Sequence, residues 1–197
     1  MHVRTLFAGA ALALAAALPA AAHETIYVAD LSGAAEAPPN ASPGTGTVRV
    51  TIDFDLVTMR VEASFSGLIG TTSAAHIHCC TASPGVGTAG VATPVPSFPG
   101  FPSGVTSGSY DQTFDMTDAG SYNPAFVTAS GGTVGDAFAA LVAGMDGGQA
   151  YLNLHTSIFP GGEIRGFLAP VPEPETYALM LLGLALVGAA ARRSRAR

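Results

Sequence analysis

Eight consecutive residues, TVRVTIDF at positions 47–54, alternate between polar and apolar side chains without a break. In an extended strand this period of two places every apolar side chain, from Val48 to Phe54, on one face. The stretch MRVEASF at positions 59–65 alternates in the same way, and a short connection separates the two. The pattern predicts an antiparallel hairpin with one buried face.

The rest of the body contains further segments typical of short strands. Apolar residues recur at helical spacing in one segment only, and Gly144 stands near its end. A long segment rich in proline, 80–104, is predicted to be a loop that covers something or serves a function. About seven strands predict a mostly all-β fold, an antiparallel β-sandwich or barrel-like sandwich with one short helix. The additional strands are predicted at 26–31, 74–79, 105–116, 150–156 and 163–168, and the helix at 134–145.

The charge of the chain is distributed unevenly. Twelve of the fourteen acidic residues but only three of the eight arginines lie between Glu24 and Pro170, which gives that body a net charge of about −9. Four arginines occupy the last six positions, and the chain has no lysine. A body of this sign repels phosphate backbones, so a nucleic-acid partner is excluded.

The first 22 residues have the three parts of a secretory signal peptide. Arg4 supplies the positive charge, 6–18 form the apolar region, and three alanines at 20–22 form the small-residue cleavage pattern. We therefore expect signal peptidase to cleave after Ala22, which makes His23 the new N-terminus. The folded domain is expected at 23–169.

The last 28 residues, 170–197, are predicted to form a membrane tail. A rigid linker rich in proline is followed by an uncharged segment at 177–191 and a basic end at 192–197. Arginines directly after an apolar segment stay in the cytoplasm, so the body lies outside. Fifteen helical residues reach about 22 Å, against a hydrocarbon core of about 30 Å. We expect a membrane helix too short for a permanent anchor.

This layout resembles the PEP-CTERM sorting signal of bacteria that make exopolysaccharide. The motif stands here as Pro172-Glu173-Pro174, ahead of the short apolar segment and the arginine-rich end. The resemblance implies an exosortase-type transpeptidase as partner, which removes the tail after a transient stage in the membrane. A plain C-terminal anchor is the alternative.

Three blocks within the body resemble the signature of the CHRD domain, which is named after chordin. They are AHIHCC at 75–80, AYLNLHT at 150–156 and FPGGEIRG at 159–166. The resemblance implies a β-rich extracellular domain and does not imply a known reaction. We assign no catalytic residue and expect no cofactor.

A group of histidines in these blocks is the one candidate for chemistry. His76 and His78 point to the same face of a strand, and His155 shares a face with Tyr151 and Asn153. Three imidazoles are enough for a copper or zinc site. The alternatives are buried, hydrogen-bonded histidines beside a Glu163–Arg165 ion pair, or an exposed face without a role.

Cys79 and Cys80 are the only cysteines, in a chain bound for an oxidising compartment. A vicinal disulfide is expected, with intermolecular bridges or soft metal ligands beside the histidines as alternatives. His23, once it is the N-terminus, is a further copper chelator, against the alternative of an incidental frayed end.

These observations predict a non-enzymatic protein that is exported to the periplasm, cell surface or exopolysaccharide matrix. Its domain binds a polysaccharide or an envelope protein, or fills a structural role. The alternative is a transition-metal-binding protein or a copper/zinc enzyme of dismutase-like type that uses the His-x-His block. That enzyme needs two metal sites, whereas the body holds four histidines including His23.

Overall fold

A computed structural model describes residues 23–172 and, beyond them, only positions 183, 184 and 187. The predicted signal peptide at 1–22, Glu173, Pro174 and nearly all of the predicted membrane helix at 177–191 lie outside the described residues. Among the described residues, no helix is both long enough and apolar enough to cross a membrane.

Within residues 23–172, eight strands, numbered β1 to β8 in chain order with the bounds given below, form one antiparallel sheet. Their order is β4-β6-β7-β1-β2-β3-β5, with β8 paired to β1. The mostly-β fold class is confirmed, and the strands belong to one continuous hydrogen-bonded sheet that curls around a single core. The strands are β1 (Glu24–Ser32), β2 (Thr45–Asp53), β3 (Thr58–Ser66), β4 (Thr72–His78), β5 (Gly108–Asp115), β6 (Tyr151–Thr156), β7 (Ile164–Phe167) and β8 (Ala169–Pro170).

The hairpin of β2 and β3 has the register that its alternation requires. Val50 pairs with Val61 and Ile52 with Met59, and all four side chains are fully buried. The residues between them along each strand point away from the core. One continuous apolar cluster lines the inner face of the sheet and extends from this hairpin to the core-facing side chains of β4 and β6.

The outer face of the sheet is divided into two halves. Over β2, β3 and β5 it is open to solvent, and Arg60 joins Glu62 and Asp111 there in an exposed ladder of ion pairs. Over β4, β6 and β7 it is buried beneath three loops, at 33–44, 79–107 and 157–163. The proline-rich segment therefore covers part of the sheet, as its length predicts.

Two helices follow β5. The first, α1 (Pro124–Ala129), was not predicted, and the second, α2 (Val134–Asp146), begins where the helical spacing predicts. The Thr133 hydroxyl caps α2 by accepting from the Asp136 amide at 3.1 Å. The Tyr27 hydroxyl of β1 donates to Asp146 at 2.7 Å and ties the other end of α2 to the sheet.

The sulfurs of Cys79 and Cys80 pack directly against α2. They lie 3.9 and 3.6 Å from the carbonyl oxygen of Ala140. A Cβ atom placed on Gly144, one turn further along α2, would overlap the Cys79 sulfur and lie 2.6 Å from the Cys80 sulfur. The close approach of helix and cysteine pair therefore depends on glycine at this position.

We predict opposite effects for two glycine-to-alanine changes within α2. Gly144→Ala should lower the free energy of unfolding by about 1–3 kcal/mol, because the helix must move off the cysteine pair. Gly135→Ala is the matched control, since the nearest atom to its added Cβ is 3.9 Å away, and it should be neutral or stabilising. Urea unfolding of the two variants measures the difference, and equal effects would contradict the packing described.

Candidate functional site

The register of three strands assembles one polar face on the covered half of the sheet. His78 pairs with Tyr151, His76 with Asn153, and Asn153 with Arg165 on β7. Because alternate residues share a face, the neighbouring positions Ala75, Ile77, Leu152, Leu154 and Ile164 point into the core. We call the following residues the polar face: His76, His78, Tyr151, Asn153, His155 and Arg165.

Each histidine of the polar face binds a backbone carbonyl of a covering loop. His76 Nε2 contacts the Pro96 oxygen at 2.7 Å, and His78 Nδ1 contacts the Ala89 oxygen at 2.9 Å. His155 Nδ1 lies 2.9 Å from the Pro160 oxygen. A carbonyl can only accept, so the nitrogen facing it carries the ring proton. The other nitrogen of each neutral ring keeps its lone pair.

The three imidazoles converge. Their ring centroids are 5.3 to 5.9 Å apart, and one nitrogen of each ring lies within 4.8 Å of the others. Burial lowers the pKa of all three rings, that of His78 to about 4, so they are neutral at neutral pH. His76 and His78 are only 6% and 9% exposed, which leaves the cluster nearly sealed.

Arg165 stands at the centre of a second set of loop contacts. Its Nε donates to the Ala35 oxygen and its Nη1 to the Gly87 oxygen, at 2.5 and 2.9 Å. Its guanidinium lies over the Tyr151 ring, 4.8 Å from the centroid. Its ion-pair partner is Glu36, at 3.8 Å. The expected Glu163–Arg165 ion pair was therefore wrong.

Glu163 has a different role from the one expected. Its carboxylate accepts from the Ser42 and Thr156 hydroxyls and from the Ile69 and Gly70 amides, at 2.5 to 3.0 Å. Four donors compensate the charge of a side chain with no exposed surface. The carboxylate joins three segments of the chain, and its pKa stays below the usual range because of these hydrogen bonds.

Glu36 and Asn153 belong to the site, and sequence reasoning missed their role. Burial raises the pKa of Glu36 to about 7, although the Arg165 guanidinium acts in the opposite direction. Glu36 Oε1 and Asn153 Oδ1 both lie close to Gly162 and have no hydrogen-bond partner. The pattern of β6 did place Asn153 beside His155, whereas no local signal marks Glu36 in its loop.

Five buried side-chain atoms within residues 23–172 lack a hydrogen-bond partner, and all five belong to the polar face or to Glu36 beside it. Leaving such an atom unpaired costs about 1–3 kcal/mol. Their concentration in one place calls for ordered water or a bound ligand that supplies the missing contacts. They are Glu36 Oε1, His76 Nδ1, His78 Nε2, Asn153 Oδ1 and His155 Nε2.

The other predicted site residues lie apart from this cluster. The structure joins the sulfurs of Cys79 and Cys80 to each other, on the side of the sheet that faces α2. The His23 ring packs at a tilt against Phe54, 4.9 Å between centroids, and is not part of the histidine cluster. Pro172 ends the continuously described part of the chain.

Comparison with known families identifies the body of the chain. The sequence model of the CHRD domain matches residues 27–168. The chain belongs to the CHRD-domain family. Both the strands that carry the polar face and the loops that cover it lie within the matched CHRD domain.

A second family match covers the end of the chain. The PEP-CTERM protein-sorting motif matches residues 170–195, which confirms the resemblance of the tail. The CHRD domain is therefore part of an exported protein that exosortase-type machinery processes and that associates with the cell envelope or surface. No curated protein and no solved structure matches the chain.

We predict that Glu36→Gln changes the pH dependence of stability. A carboxyl group whose pKa is raised on folding stabilises the protein below about pH 4.5, and this contribution is lost as the pH rises through about 7. Glutamine keeps the shape and cannot ionise. The variant should match the wild type near pH 4 and exceed its unfolding free energy at pH 8 by about 1–3 kcal/mol.

Urea unfolding at both pH values measures this difference. A variant less stable than the wild type at pH 8 would contradict this prediction. It would mean that the Arg165 guanidinium stabilises the charged Glu36 carboxylate by more than burial destabilises it.

Proposed function

We propose that the mature protein is a non-enzymatic component of the cell surface or exopolysaccharide matrix, bounded by residues 23 and about 172. In this proposal the CHRD domain binds a macromolecule of that environment through its surface. The observation that carries it is the burial of the polar face. The side-chain types that could perform chemistry are sealed beneath loops, whereas the open half of the sheet presents hydroxyl and charged groups.

The open half of the sheet has the shape and chemistry to lie against a polysaccharide. Two adjoining grooves, of about 610 and 550 Å³, run along β1, β2 and β3 and share Asp30, Thr47 and Ser64. Thr47 and Ser64 face each other across the strands, with their hydroxyls 2.9 Å apart. Hydroxyl and carboxylate groups exchange hydrogen bonds with sugar hydroxyls, and their flat arrangement suits an extended chain.

The dismutase-like alternative is not favoured. Within residues 23–172 the histidines provide one cluster of three, and that enzyme uses two metal sites. A catalytic centre for a dissolved substrate also needs an accessible metal, whereas the three rings are covered by loops.

We predict that a bulky cation in the groove weakens binding to the exopolysaccharide of the producing cell. Thr47→Arg fills the groove at an exposed position, and Thr128→Arg adds the same charge on α1, outside it. In co-sedimentation of the exported, tail-free protein, the first variant should lose most of the bound fraction, and the second should keep it. Equal binding by both variants, or none by the wild type, would contradict the groove as the contact surface.

A second prediction concerns the sorting tail. Glu173→Ala destroys the Pro-Glu-Pro motif, so the protein should keep residues up to Arg197 and remain in the membrane fraction. Glu175→Ala removes the same charge two residues later and should be processed like the wild type. Intact-mass measurement of both products decides, and loss of the tail from Glu173→Ala would show that another signal directs processing.

A further inference from the structure

Each histidine of the polar face has one ring nitrogen that no donor among the described residues reaches. The proton on each ring is already used, because it faces the carbonyl oxygen of Pro96, Ala89 or Pro160. None of the rings can therefore donate to another while it stays neutral. Their remaining nitrogens, His76 Nδ1, His78 Nε2 and His155 Nε2, are buried acceptors without donors.

We propose that His76, His78 and His155 together bind one first-row transition-metal ion, copper or zinc, at a site beneath the covering loops where water completes the coordination. A metal ion accepts three lone pairs at once and so satisfies all three nitrogens. Imidazole nitrogen is a preferred ligand of both metals. The proposal does not depend on the surface role of the CHRD domain.

The hydrogen bonds around the three histidines already have the arrangement that metal-binding histidines show. Histidines that bind metals donate their other N–H to a carbonyl or carboxylate, which fixes the ring and its tautomer. All three rings do so here, with distances of 2.7 to 2.9 Å. The strands beneath them are rigid, since β4 and β6 pair continuously from Ala74 to His78. One nitrogen of each ring already lies within 4.8 Å of the others. Ligands about 2.0–2.1 Å from one ion are roughly 3.3–3.6 Å apart, so the rings close in on the ion when it binds.

Neighbouring side chains hold the cluster in place. The Tyr151 ring stacks on His78, with centroids 4.9 Å apart and planes 6° apart. The Tyr151 hydroxyl also accepts from the Ala89 amide at 3.2 Å, in the same loop that binds His78. Tyr151 thus supports one ligand and its loop without offering an atom to the metal.

The position of the ligands gives the ion a structural role. Two ligands come from β4 and one from β6, and their carbonyl partners lie in the loops 79–107 and 157–163. An ion on the three rings would fasten both loops to the sheet. Bound metal should therefore raise the melting temperature and slow amide exchange in these loops.

The test uses the exported protein in a His23→Ala background. If His23 becomes the N-terminus, its amine and ring would chelate copper independently, and the substitution removes that site. After chelation and dialysis, isothermal titration with copper or zinc should give one ion per chain. His155→Gln, which keeps an N–H donor for Pro160, should weaken binding at least about 100-fold. Thr128→Ala changes an exposed residue of α1, outside the polar face, and should bind as the background does.

Three results would overturn the proposal. The first is that the folded background protein binds neither metal at micromolar concentration. The second is that His155→Gln binds as tightly as the background. The third is that metal leaves the melting temperature and the amide exchange of the loops unchanged. In the first case, buried water rather than an ion completes the hydrogen bonds of the rings. If His155→Gln does not fold, electron paramagnetic resonance of the copper-loaded background decides. Three nitrogen ligands support the proposal, and fewer than three contradict it.

Discussion

The loops that cover this domain bury apolar side chains such as Phe98 and Phe101 in the core, but they also bring backbone carbonyl oxygens that need donors. The polar face of β4, β6 and β7 supplies those donors. His76, His78, His155 and Arg165 together bind five loop carbonyls, in segments that are distant in sequence. A buried carbonyl without a partner is costly, so the folded loops depend on these side chains.

This dependence explains why the outer face of one sheet has two characters. Over β2, β3 and β5, side chains such as Arg60 and Asp111 pair with each other in solvent, where ion pairs stabilise little. Over the polar face, polar and charged side chains are buried and bind backbone carbonyls, while five atoms there and on Glu36 stay without a partner. Glu163 shows the limiting case, a fully buried carboxylate with four donors.

Period-two alternation was sufficient to predict the strands of the hairpin, because burial of one face determines its register. The pairing between distant strands was not predictable in this way. Alternation states which side chains share a face, and it does not state which strand lies beside which. The sequence therefore predicted an antiparallel sandwich or barrel-like sandwich without its strand order, which the structure gives as β4-β6-β7-β1-β2-β3-β5 in one curled sheet.

The residues of the candidate site also fall into two groups, those that the sequence pattern brings together and those that only the fold brings together. His76, His78 and His155 could be grouped from the sequence because each shares a face with its neighbours at i±2. Glu36 could not, since it stands in the loop after β1 and meets Arg165 only through the fold. The same reasoning failed for Glu163, whose shared face with Arg165 did not make the two partners.

The two halves of the outer face meet two different requirements of an exported CHRD domain. A surface that binds other molecules must stay open, and the loops that complete the fold must stay closed. Because the polar face lies beside the open half on the same sheet, changes in the grooves need not disturb the loops. Since His76 and His78 are buried and His155 is half-buried beneath the loops, an ion there would act on loop closure rather than on a substrate. Surface contact and internal closure can therefore vary independently in this fold.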